Sequence, residues 1–124
     1  MKYVFALVLI IFLGSCYQPE RNCTDFKEGA FTYTTIIKGK EETTTFVRSD
    51  TLEIATFEGK IDSAAVRWIN DCEYVVRNLN PKSMREEKAI HMKILTTTDN
   101  SYTFEFGVVG SSEKAKGTAI RKTN

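Results

Sequence analysis

Tyr102-Thr103-Phe104-Glu105-Phe106-Gly107-Val108 sets large apolar side chains at every second position, with polar or small ones between. A strand turns successive side chains to opposite faces, so this run predicts one buried face carrying Tyr102, Phe104, Phe106 and Val108. The same period continues upstream. Ile90, Met92 and Ile94 alternate with His91, Lys93 and Leu95, and the turn-like Thr97 to Asn100 separates the two runs. Downstream, Ala115 to Arg121 reads as a weaker strand interrupted by Gly117.

Earlier in the chain the pattern is again period two. Phe31, Tyr33 and Ile37 share a face, Lys38-Gly39-Lys40-Glu41 supplies a hairpin connection, and Thr43 to Arg48 returns with Phe46 among threonines. Ser49-Asp50 turns into Leu52-Glu53-Ile54, which alternates cleanly, and Glu58-Gly59-Lys60 turns into Ile61 to Ile69, where Val66 and Trp68 share a side. Asn70-Asp71 is a turn pair, after which Cys72, Tyr74 and Val76 point together. β-branched and aromatic residues fill these runs, as pleated surfaces favour. The expectation is an all-β domain over residues 30–124, an antiparallel meander of about eight strands closed into a lipocalin-like barrel or half-barrel. A β-sandwich is the alternative. One short helix is expected where Asn80-Pro81 offers a cap and a first-turn proline ahead of Lys82 to Lys88.

The amino-terminal residues have a different composition. Met1-Lys2-Tyr3 is followed by ten residues without a polar side chain, Val4 to Leu13, and then by Gly14-Ser15-Cys16. A positive start, a short apolar core and small residues at its end predict a cleaved signal peptide over residues 1–15. As a helix the apolar run spans about 15 Å, half of a bilayer core of roughly 30 Å. Leu13-Gly14-Ser15-Cys16 resembles the lipobox of bacterial lipoproteins, in which the cysteine becomes the first residue and carries a diacylglycerol thioether. The resemblance implies lipidation of Cys16, since a thiolate is the side chain nucleophilic enough for that transfer. Residues 16–29 then read as the lipidated cysteine and a tether.

Two cysteines remain, Cys23 and Cys72, an even pair for an oxidising compartment. Joining them closes a loop worth about 4 kcal/mol in the chain-entropy model. Separate buried thiols are the alternative.

Few residues suggest chemistry. The 17 Lys+Arg against 16 Asp+Glu leave no basic field for nucleic acid. His91, the single histidine, falls on the polar face of its strand, where no nucleophile and orienting acid accompany it. Asp71, Glu73, Asp99 and Asn100 do not follow calcium-loop spacing, so no metal and no cofactor is expected. Arg67, Trp68 and Tyr74 bracket one hairpin turn beside Cys72. They read either as a binding rim or, more simply, as a core corner in which Trp68 packs beside a Cys23–Cys72 disulfide. Asp50-Thr51-Leu52 and Asp62-Ser63-Ala64 are similar to the acceptor pattern for O-glycosylation of exported Bacteroidetes-type proteins, which would place sugar on Thr51 and Ser63.

Cys16 to Cys23, Trp68 to Tyr74 and Ile90-His91-Met92-Lys93-Ile94 resemble a group of short flavobacterial lipoproteins of the Bacteroidetes type. Some of that group carry the label DNA topoisomerase IV. Such an enzyme needs a tyrosine nucleophile inside a large DNA-gripping, metal-assisted assembly, which a short, charge-balanced, exported domain does not supply. The expectation is a non-enzymatic, lipid-anchored envelope protein that binds a protein partner or a small apolar ligand. A structural or assembly lipoprotein acting through an exposed sheet face is the alternative. Tyr17 after Cys16, and a tether without an acidic run, are similar to sequences sorted to the outer membrane facing the periplasm.

Overall fold

The computed structural model describes residues 21–123, a single closed barrel of eight antiparallel strands in chain order. The strands are β1 (Gly29–Ile37), β2 (Lys40–Arg48), β3 (Leu52–Phe57), β4 (Lys60–Asn70), β5 (Glu73–Asn78), β6 (Ile90–Thr97), β7 (Ser101–Val108) and β8 (Ala115–Arg121). Closure comes from β8 pairing back onto β1 through Phe31–Arg121, Thr32–Ile120 and Tyr33–Ala119. The ladder has no free edge, so the barrel form holds and the sandwich does not.

Turn chemistry enforces the meander. The β1–β2 and β3–β4 links are two-residue turns, Lys38-Gly39 and Glu58-Gly59, with all four residues at positive φ. That backbone twist matches the strands it joins, and glycine at the second position adopts it without steric cost. Gly117, the interruption in β8, has a packing reason. A Cβ there would stand 2.6 Å from the Tyr33 ring and 2.8 Å from the Phe104 ring. The bare backbone lets both aromatics fill the interior.

Phe31, Phe46, Val66, Tyr74, Ile94, Tyr102 and Phe104 are buried inside. The phase of β3 is the reverse of what Leu52-Glu53-Ile54 suggests. Ile54 is exposed, whereas Glu53 points inward in step with Ala55. The neighbouring ladder decides it, because Glu53 lies opposite the buried Arg48.

Two expectations need correction. No helix forms over Lys82 to Lys88, which runs as exposed turns with two isolated helix-like backbone bonds, Glu87 N–H to Ser83 O and Lys88 N–H to Arg85 O. Its single apolar side chain, Met84, is exposed, so the stretch offers no stripe to bury. The one helical element among the described residues is a 3-10 turn, Cys23–Phe26, inside the segment expected to be tether. Its Cys23 and Phe26 are buried in the core cluster, with the Phe26 ring 5.3 Å from Tyr102. From Cys23 onward the chain is therefore domain, and the 3-10 turn plugs the barrel. Cys16 and the signal residues lie outside the described residues.

Candidate functional site

Cys23 and Cys72 are joined, with S–S 2.07 Å, tying the plug to the β4–β5 turn. This end of the barrel is further sealed by Arg121, whose guanidinium lies 4.9 Å over the Phe26 ring and donates to Asp25 O at 2.6 Å. The β2–β3, β4–β5 and β6–β7 turns gather here. The opposite end, carrying the β1–β2, β3–β4, β5–β6 and β7–β8 links, is the mouth.

Arg48, at the end of β2, is the one buried charged residue among the described residues, 1 % exposed. Its guanidinium donates to Tyr74 Oη at 2.8 Å, Tyr102 Oη at 3.1 Å, Phe26 O at 2.6 Å and Lys27 O at 3.3 Å. Phe31, Phe46 and Trp68 stand 5.2–5.8 Å from its carbon. Burial works against its charge, but Tyr74, Tyr102 and Glu53 more than offset this and hold the guanidinium protonated. Burial in turn raises the Tyr74 hydroxyl well above the ordinary phenol range and raises Tyr102 as well, so both stay neutral. The result is a hydrogen-bonded floor under the barrel interior.

Above that floor is a cavity of about 400 Å³. Tyr74, Tyr102 and Phe46 form its base, and Tyr33, Phe104 and Phe106 one wall. Ala55, Ala64, Val76, Ile90 and Met92 line the rest, the two alanines leaving room on β3 and β4. Asp62, Arg85, Glu86 and Lys88 line it at the mouth, where the β5–β6 link passes. Among these groups Glu53 stands out, with a carboxyl that faces the cavity 3.7 Å from Arg48 Nη1. Burial pushes this carboxyl up, and Arg48 only partly opposes the rise.

The expected rim is not assembled. Trp68 and Tyr74, opposite each other on β4 and β5, face inward with ring centroids 4.5 Å apart, while Arg67, next to Trp68 on β4, is exposed to solvent. Trp68 packs with Cys72 against the core cluster and carries Lys27 Nζ 5.0 Å over its ring. Its buried Nε1 has no hydrogen-bond partner. The core-corner arrangement is therefore the one observed, and of the three residues Tyr74 alone reaches the cavity.

His91 is half-buried on the outer face, its Nε2 3.1 Å from Glu73 Oε1. Asn70 donates to the other Glu73 oxygen at 2.6 Å and, ahead of His91 and Lys93, holds that carboxyl below its usual range. Asp71 pairs with Lys27 at 3.2 Å, while Asp99 and Asn100 sit in the exposed β6–β7 turn. Thr51 is exposed ahead of β3, and Ser63 is half-buried within β4 opposite Ile54.

Sequence reasoning missed Arg48 and Glu53. Phe46 and Arg48 share a parity, which is the one signal that places Arg48 inside. Compared with protein-family models, curated proteins and solved structures, the chain matches none.

Proposed function

We propose that this chain is a non-enzymatic, lipid-anchored envelope protein whose barrel takes up a small apolar ligand. The observation that carries the reading is the cavity of about 400 Å³ above the Arg48 floor. Folded interiors hold few voids larger than a water molecule, whereas ligand sites run from roughly 300 to 1,000 Å³ with mostly apolar walls. Eight strands make a barrel of the right width for one small ligand.

The anchor belongs to the same proposal. The Cys23–Cys72 disulfide favours an oxidising, extracytoplasmic setting. Cys16 stands seven positions before Cys23 at the plugged end, so a lipid there sets that end toward the membrane and the mouth toward the aqueous envelope. A periplasm-facing outer-membrane location, as in the flavobacterial lipoproteins it resembles, follows from the Cys16-Tyr17 junction. The membrane is then a partner through the lipid, and nucleic acid is none.

Titration with the fluorescent probe N-phenyl-1-naphthylamine tests the cavity. The parent protein is expected to bind one probe per chain, and Ala64→Phe, which fills the cavity opposite Glu53, is expected to abolish binding while keeping the fold. Equal binding by both proteins would remove the cavity reading.

Val47 and Ile54, exposed and directly opposite on β2 and β3, favour a second reading in which this outer face docks an envelope protein. Charged residues at both positions would then abolish co-purification of a partner while leaving probe binding intact.

A further inference from the structure

We propose that the ligand is an amphiphilic organic cation, an alkyl or aryl ammonium. Its head lies against the Glu53 carboxylate and its apolar body along the aromatic wall. The inference rests on the cavity reading above and gives that site a ligand class.

The argument begins with what Glu53 lacks. It projects inward from β3, its side chain 15 % exposed, and it lines the cavity. Its one charged neighbour among the described residues is Arg48, at 3.7 Å and so beyond hydrogen-bond reach. The guanidinium is turned elsewhere, to two tyrosine hydroxyls and two backbone carbonyls. Arg48 does not line the cavity, but Glu53 does. A ligand therefore meets the carboxylate first and the arginine charge through it.

An ionised carboxylate only accepts hydrogen bonds, so the complementary head must donate. A buried charge short of partners favours a donor of opposite sign over a neutral one. Aromatic rings of Tyr33 and Phe104 line the same space, and the π cloud of such a ring suits a cation and repels an anion. At the mouth, Arg85 and Lys88 are matched by Asp62 and Glu86, so no single-sign fringe bars an ammonium from entering. The upward push of burial on Glu53 agrees: the site holds a carboxyl whose charge its own surroundings leave under-compensated.

The test compares three probes with the same body and different heads: 4-phenylbutylamine, 4-phenyl-1-butanol and 4-phenylbutyrate. Each is titrated into the purified full-length protein and into Glu53→Gln, with competition against the naphthylamine probe as the readout. In the parent the amine is expected to bind about tenfold tighter than the alcohol, with the butyrate weakest. Glu53→Gln is expected to lower amine affinity about tenfold and to leave the alcohol within roughly threefold. Alcohol binding equal to the amine, or butyrate binding best, would overturn the cation assignment and leave the cavity reading standing. Binding of none of the three, with the naphthylamine probe also silent, would overturn both. The parent comparison needs no variant, so a poorly folding Glu53→Gln does not remove the test.

Discussion

Arg48 and Glu53 face each other across the β2–β3 ladder, yet Nη1 and Oε1 stand 3.7 Å apart and the two charges serve different spaces. The arginine is consumed by the floor of the barrel; the glutamate is left to the cavity. Removing the arginine charge should therefore cost far more stability than removing the glutamate charge.

Arg48→Met keeps most of the volume but strands two tyrosine hydroxyls, two backbone carbonyls and the Glu53 charge. Breaking one side of a buried polar network typically costs about 3–5 kcal/mol. The expected outcome is a loss of that size in denaturant midpoints. A loss under about 1 kcal/mol would show that the floor is not held by the arginine.

Glu53→Gln should cost little and gain with pH. The folded carboxyl lies above its ordinary value of 4.5, so the folded state keeps a proton that the unfolded chain has released. Stability of the parent then falls as pH rises from that value through the folded one, and levels off above it. Glutamine lacks this titration, so the variant should gain on the parent across the same window. Chemical denaturation between pH 4 and pH 8 reads the difference. A parent that gains on the variant as pH rises would reverse the sign and the argument.

The Cys23–Cys72 bridge closes a separation of 49 residues and fixes the plug, whose last residue Phe26 and the following Lys27 supply the two carbonyls that accept from Arg48. Replacing both cysteines by alanine should cost about 2–5 kcal/mol. It should also weaken probe binding, because the floor loses its backing. Unchanged stability in thermal melts under non-reducing conditions would contradict the role of the plug.

Gly117→Ala should destabilise by about 1–3 kcal/mol, through collision with the Tyr33 and Phe104 rings. A paired Tyr33→Leu change should recover part of that loss. If Gly117→Ala is neutral, β8 does not approach those rings as closely as described.

Much of this architecture is readable in the chain. The alternation of Tyr102, Phe104 and Phe106, and the turn pairs at Lys38-Gly39 and Glu58-Gly59, carry both strand positions and the meander, because period and turn type are local properties. The Trp68 corner was readable as well, since an inward tryptophan near Cys72 has little else to do than pack. Arg48 was not. Its partners come from residues 21 to 54 positions away, and nothing local says whether an inward arginine finds acceptors. Glu53 was not readable either, because three alternating residues fix a period but not its phase; the partner strand set that. The Lys82 to Lys88 stretch had caps and propensity for a helix but no apolar stripe, and packing decides such cases.

Met92 lines the cavity while Met84 is exposed on the β5–β6 link, so the two methyl groups report inside and outside separately. The most direct measurement is therefore an NMR spectrum of protein labelled at its methionine methyls, recorded with and without 4-phenylbutylamine. The account predicts a shifted Met92 signal with nuclear Overhauser contacts to the ligand's phenyl and methylene protons. Contacts at Met84 alone, or an unmoved Met92 at saturating ligand, would place binding elsewhere and contradict it.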